Sequence, residues 1–321
     1  MTPSLSEKEN KNWPFVTVAV SLYNSAERIG RTLDALLNQN YPADRYEIVT
    51  IDNASKDNTK EVVDRYVRTL GERVKYFYEA TPGLAHARNR GAREAKGEII
   101  CYTDDDCIAD KNWVKEIAQT VIEHDADAVQ GKIIIGTKIP EDMIYPKWFI
   151  EERFAHVDYG DHLKQIYEND LVGANMSFRR EVFEKYGYFD SNPLYDMCQD
   201  TEFSMRITKN GIKKFYNPKA VIYHHFSLDR INGHRFLKQS FDWGRAYLFL
   251  EPADMSDFKY FLFRLKKIFV DGFRLLKAYL KRDQREVFLI KCKIYSHWGR
   301  CYQLMQNAKS KLFHPRETQK I

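Results

Sequence analysis

Between Phe15 and Thr103 the chain alternates short apolar runs with stretches of helical periodicity, and the runs end in clusters of small polar or acidic residues. Phe15–Ser21 is the first run. Ile29, Leu33, Leu36 and Leu37 then recur at helical spacing, and Glu47–Ile51 is again apolar and β-branched. Asp57–Leu70 repeats the helical pattern, Val74–Tyr78 reads as a strand, Gly83–Lys96 as an Ala-rich helix entered after Pro82, and Glu98–Thr103 as the next strand. Such alternation predicts an α/β fold in which a largely parallel sheet carries helices on both faces. Sheets of this kind take ligands beyond the carboxyl ends of their strands. Three polar clusters fall at those ends: Ser21-Leu22-Tyr23-Asn24, Asp52-Asn53 with Ser55 and Asp57, and Asp104-Asp105-Asp106.

The rest of the chain is less regular. Strands are expected at Ala126–Ile135 and Leu171–Phe178, an aromatic loop at Ile139–Gly160, and a helix at Asp200–Asn210 closed by Gly211. From Phe258 the pattern turns helical, with apolar residues on one face and Lys or Arg on the other. This gives a polar leader over residues 1–14, a regular α/β half over 15–110, a less regular half of the same domain over 111–257, and a basic amphipathic tail over 258–321. The net charge of +5 conceals the tail: Phe258–Ile321 holds 16 Lys and Arg against 4 Asp and Glu, leaving the remainder acidic.

Five cysteines at irregular spacing, with no CxxC, argue against a disulfide framework or a zinc knuckle and fit a reducing cytoplasm. The leader lacks the apolar stretch of a signal peptide, and the tail has no run long enough to span a bilayer. A cytoplasmic protein is the expectation, with a peripheral place on the inner face of the membrane open to it through the tail. An anionic membrane surface and simple packing on the preceding domain are both open for the tail; nucleic acid is not expected, because no nucleic-acid-binding motif accompanies the charge.

Three adjacent carboxylates repel one another, so a fold keeps Asp104, Asp105 and Asp106 together where a cation or an array of donors offsets their charge. Hard oxygen ligands suit Mg2+ or Mn2+, with water and substrate phosphate completing the shell. A solvated acidic turn before a helix near Lys111 is the plain alternative. Asp52, Asn53 and Ser55 could bind a base or ribose, or merely form a turn and cap. The absence of GxGxxG and GxxxxGK[ST] removes support for dinucleotide oxidoreduction and P-loop chemistry. Arg88, Arg90 and Arg93 lie on or near one helix, where a guanidinium could meet a diphosphate. Trp113, Trp148 and Phe149 could stack on sugars, although core packing is the commoner use of such residues.

The order Ser21–Asn24, Ile51-Asp52-Asn53-Ala54-Ser55, Gly83-Leu84-Ala85 with Ala87-Arg88-Asn89, Gly97-Glu98, Asp104-Asp105-Asp106, Gly173-Ala174-Asn175 and Gln199-Asp200-Thr201-Glu202 resembles glycosyltransferase family 2 over about Phe15 to His225. The resemblance implies a GT-A fold, a nucleotide-sugar donor with uridine diphosphate as the expected carrier, and inversion at the anomeric carbon. It places Ser21, Tyr23, Asn24, Asn53 and Arg88 around the donor, with Asp52 supporting that loop. Asp104 and Asp106 become the ends of a DxD motif, Asp106 touching the metal and Asp104 or Asp105 nearer the ribose. Asp200 becomes the base that faces an acceptor hydroxyl on a glycan or lipid-linked acceptor, and His224, after the run Ala220–Tyr223, a third metal ligand. Gln199 departs from the Glu-Asp pair of many relatives, and Asp190–Cys198 is shorter than their Gly-rich loop. Two further readings stay open: a metal-dependent phosphohydrolase built on Asp104–Asp106, and a binding module that has lost catalysis.

Overall fold

The computed structural model describes residues 13–167, 171–250 and 255–313. The leader expected over 1–14 lies outside them except for Trp13 and Pro14, as does the end of the tail. Contacts divide the chain into two compact units, one running to Lys138 and resuming over Phe154–Phe226, the other made of Ile139–Arg153 and the chain from Ser227. This division differs from the boundary expected at Phe258.

The first unit is built on a nine-stranded sheet. Parallel strands β3 (Val74–Tyr78), β2 (Tyr46–Asp52), β1 (Val16–Leu22) and β4 (Ile99–Asp104) adjoin in that order. β8 (Met176–Arg179) then pairs antiparallel with β4 and with β6 (Ala128–Ile135). β6 runs parallel to β9 (Lys214–His224), whose other edge pairs antiparallel with β5 (Cys107–Ala109) and β7 (Lys164–Ile166). The sheet is therefore mixed, not largely parallel. Apolar periodicity reveals that a segment is a strand and carries no information on its direction, so the antiparallel half was out of its reach.

β1 and β2 are buried almost throughout, as central strands covered on both faces must be. Alternation still sorts their side chains. Val49 and Ile51 pack on Ala87 of α3 (Leu84–Glu94), whereas Ile48 joins the main core with Ile29 and Leu33 of α1 (Ile29–Leu37) and Val63 of α2 (Thr59–Leu70). Fully burying such a side chain contributes roughly 1.5–3 kcal/mol. α4 (Trp113–His124), α6 (Arg180–Tyr186) and α7 (Gln199–Thr208) complete the helices of this unit. Trp113 is fully buried and donates its indole N–H to Asn175 Oδ1 at 2.7 Å, which makes it a core residue.

The second unit is helical: α5 (Lys147–Arg153), α8 (Gly233–Leu250), α9 (Asp257–Leu280) and α10 (Gln284–Phe313). Rings of Tyr145, Phe149, Phe236 and Phe288 meet edge to face at its centre, and Arg153 lies over Phe149 and Trp243. This cluster is why the loop around Phe149 belongs with the tail helices. Phe149 is core, while Trp148 is exposed.

Candidate active site

Strand register brings the three polar clusters to one level. Ser21, near the end of β1, lies between Ile51 of β2 and Asp104 of β4, and the next residue, Leu22, pairs with Asp52. Beyond them the chain turns through two residues of positive φ, Asn24 at 48° and Ala54 at 61°. Asn24 holds its own turn: its N–H donates to Ser55 Oγ at 2.9 Å and its Oδ1 accepts from Lys56 N–H at 2.8 Å. Tyr23 is exposed beside it.

Asp52 and Asn53 bind protein first. Asp52 Oδ1 accepts from Ser55 N–H at 2.9 Å and Oδ2 from the Tyr76 hydroxyl at 2.7 Å. Asn53 donates to the Thr81 carbonyl at 2.7 Å and accepts from Gly83 N–H at 2.8 Å. Its amide thus clips the loop after β2 to the segment that enters α3.

The three aspartates have separate environments. Asp105 turns toward the loop after β1, where Arg28 grips both its oxygens at 2.9 and 2.8 Å and Ser25 donates to one of them. Its backbone carbonyl accepts from Thr32 Oγ1 at 2.8 Å. Asp104 has Arg88 Nη2 at 3.7 Å. Burial pushes the carboxyls of Asp104 and Asp105 upward, and the neighbouring Asp106 adds to this, against Arg88 for the first and Arg28 for the second.

Asp106 has His224 Nε2 3.2 Å from its Oδ1. Pairing of β5 with β9 sets Cys107 opposite His224, which brings the imidazole to the end of the acidic triplet. Nδ1 lies 2.8 Å from the Phe154 carbonyl, which can only accept, so Nδ1 carries a proton and Nε2 is turned to Asp106. Burial disfavours the imidazolium, yet Asp106 and Asp104 hold the His224 pKa above its ordinary value. A divalent cation would relieve the same charge in place of that proton. Asp106, Cys107 and His224 are all buried, with one ligand atom of each within 4.8 Å of the others. Burial and the two aspartates hold the Cys107 thiol well above its ordinary pKa. The carboxylate oxygen of Asp106 and the imidazole nitrogen of His224 are donors suited to Mn2+ or Mg2+.

Asp200 sits in the first turn of α7, where its Oδ2 accepts from Gly173 N–H at 2.8 Å and its Oδ1 from Thr201 N–H at 2.9 Å. Arg88 Nη1 is 4.0 Å away. With its amide oriented to satisfy both neighbours, buried Gln199 accepts from Arg88 Nη1 and donates to the Asp196 carbonyl, each at 3.1 Å. One buried guanidinium therefore stands between Asp104 and Asp200. Of the other arginines of α3, Arg90 pairs with Glu94 and Arg93 lies over Tyr188. Sequence reading missed Arg28 and gave Gly173 no role. Both act through neighbours distant in the chain, which no local pattern exposes.

The model of glycosyl transferase family 2 matches residues 17–187. Glycosyltransferase AglE of Haloferax volcanii is 32% identical over 202 residues, 62% of this chain and 62% of the relative, so the chain spans about three fifths of that relative's length. Mannosyltransferase PcManGT from Pyrobaculum calidifontis, solved with GDP-Man and Mn2+, superposes at a TM-score of 0.57 with 20% identity, covering 97% of this chain and 81% of that one. Residues 1–349 of Staphylococcus aureus TarS, solved with UDP-GlcNAc, give 0.54 at 18% identity, covering 95% and 93%. At these identities the likeness is one of fold, and the fold is GT-A, as the sequence resemblance implies. With more than half of its length matched by the family model, the chain belongs to glycosyl transferase family 2.

Proposed function

We propose that the protein transfers a sugar, with inversion, from a nucleoside diphosphate donor to a hydroxyl of a glycan or lipid-linked acceptor. The observation that carries this reading is the shared guanidinium: Arg88 faces Asp104 of the acidic triplet on one side and Asp200 on the other. It sets the expected donor end and the expected base around one buried positive charge. UDP-GlcNAc bound by TarS and GDP-Man with Mn2+ bound by PcManGT support a nucleotide-sugar donor and a divalent metal. Uridine diphosphate is the carrier we propose.

In this reading Asp106 and His224 would hold Mg2+ or Mn2+, and the cation would supply positive charge to offset that of the diphosphate. Asp104 lies toward the ribose. Asp105, gripped by Arg28, orients the triplet. Ser21, Tyr23, Asn24 and Asn53 border the nucleotide, with Asp52 tied to Tyr76 as the support of that loop. Arg88 offsets the carboxylates against which the diphosphate must bind. Asp200 takes the acceptor proton as the hydroxyl attacks. A single carboxylate is enough, because one displacement needs no covalent intermediate and gives inversion. Two backbone N–H groups hold its oxygens, fixing the direction in which the base points.

Thermal-shift measurement with UDP, GDP and other nucleoside diphosphates, with and without Mn2+ or Mg2+, tests the donor site without knowledge of the acceptor. Stabilisation that needs both metal and nucleotide, and disappears in Asp106→Ala, is expected. Asp200→Asn should keep that stabilisation and lose transfer by about 10²–10⁴-fold. No shift with any nucleotide and metal, or orthophosphate release from the diphosphate in place of sugar transfer, would overturn the assignment.

A further inference from the structure

α9 has its polarity reversed with respect to a water-facing surface helix. Its inward face carries buried Tyr260, Asp271 and Ala278. Ala278 and Leu275 pack on Val287, Ile290 and Ile294 of α10, and Asp271 lies 3.1 Å from Arg274 and 3.7 Å from His297. On the opposite face stand Phe258, Leu262, Phe269, Phe273, Leu276 and Leu280, 48–77% exposed. Their spacing follows steps of three, four and seven, so at about 100° per residue they form one narrow stripe along the whole helix. Lys259, Lys266 and Lys277 follow one border of that stripe and are themselves exposed. The two carboxylates of α9 are Asp257 at its first residue and Asp271 on the packed face.

We infer that this outward stripe is a docking surface for an anionic lipid bilayer. Six large apolar side chains in one line are costly to leave in water, and lipid is the phase that accepts them without a matching protein groove. The lysines at the border match anionic head groups, and the basic excess of the chain beyond Phe258 acts in the same direction. A second copy of this chain would bring like charges together, and nucleic acid would use the lysines but not the phenylalanines. No helix among the described residues is long and apolar enough to cross a membrane, which leaves α9 lying in the interface with its aromatic rings toward the acyl chains. This inference concerns the helical unit alone and is independent of the proposed catalytic reading.

Co-sedimentation of the full chain with vesicles tests it. The native protein should bind phosphatidylcholine vesicles containing phosphatidylglycerol at least about tenfold more tightly than phosphatidylcholine alone, and less tightly as salt rises. Phe269→Ser/Phe273→Ser/Leu276→Ser alters exposed positions only and should weaken binding by about tenfold or more with melting temperature and helicity preserved. Lys259→Gln/Lys266→Gln/Lys277→Gln should weaken binding several-fold and flatten its salt dependence. Failure of the native chain to bind anionic vesicles overturns the inference whether or not the variants fold. So does a dimer in sedimentation that the serine variant dissolves without any vesicle binding, or binding to DNA that the serine variant retains. Nucleotide thermal shift, read in parallel, moves with none of these outcomes.

Discussion

The Arg88 guanidinium occupies the space that a side chain at Gly173 would need. A β-carbon built on Gly173 falls 2.5 Å from Arg88 Cζ and closer still to Nη2. Glycine is required here for its volume, and its backbone N–H also holds Asp200. Gly173→Ala must displace the guanidinium from between Asp104 and Asp200. Overpacking of this kind costs about 1–3 kcal/mol of stability. The larger effect is expected in transfer, with kcat lower by about 10²-fold because both carboxylates lose their shared partner. Steady-state kinetics beside a melting curve would separate the two, and a variant with native kcat would show that Arg88 need not stand there.

Arg28 and Asp105 make a second testable pair. Asp105 is nearly buried, and Arg28 supplies two of its hydrogen bonds, so Arg28→Met leaves a carboxylate with Ser25 as its remaining side-chain donor. Arg28 is itself 41% exposed, which admits water and limits the loss to about 1–3 kcal/mol. Adding Asp105→Asn removes the uncompensated charge and should recover part of that loss. Urea unfolding of the two single variants and the double variant gives the coupling directly. Additive losses would mean that the ion pair contributes nothing beyond its separate residues.

Within the helical unit, two glycines let α8 and α10 approach backbone to backbone. A β-carbon on Gly244 would run into the Ser296 carbonyl, and one on Gly299 into the Phe241 carbonyl. Neither obstacle is a flexible side-chain end, so the helices themselves must separate. Gly244→Ala or Gly299→Ala should therefore destabilise by about 1–3 kcal/mol, although alanine is the better helix former by nearly 1 kcal/mol. A rise in melting temperature for either variant would show that helix propensity outweighs the contact.

How much of this could be read in advance follows from which forces are local. The first four strands and their helices were legible because apolar periodicity and burial report the same thing in a strand covered on both faces. Asp104–Asp106 stood out because adjacent carboxylates need compensation. What supplies it, Arg28 for Asp105 and Arg88 for Asp104, lies far away in sequence and is settled by the sheet register. β5 escaped notice because three residues carry no period, yet its pairing is what sets His224 beside Asp106. The outward stripe of α9 was visible as amphipathicity, but which face packs depends on α10, where Val287 and Ile290 choose Ala278.

His297 makes the helical unit sensitive to acid. It sits on α10 among Arg264, Arg300, Lys267 and Asp271; burial and then the charges of Arg264 and Arg300 push its pKa from 6.5 down to about 4, against the upward influence of Asp271. The folded state thus favours the neutral ring, and the unfolded chain binds the proton more readily. The part of the stability that depends on this neutral ring is fully present above the unfolded pKa near 6.5 and is lost as pH falls from there toward 4. His297→Gln removes the titrating group while keeping a polar side chain of similar reach. Melting temperatures measured from pH 7 to 4 should fall less steeply in the variant than in the native chain, with the two curves separating below about pH 6.5. Parallel curves through that window would mean that the imidazole is protonated in the fold and that Asp271, 3.7 Å from Nε2, governs its charge in place of the surrounding arginines.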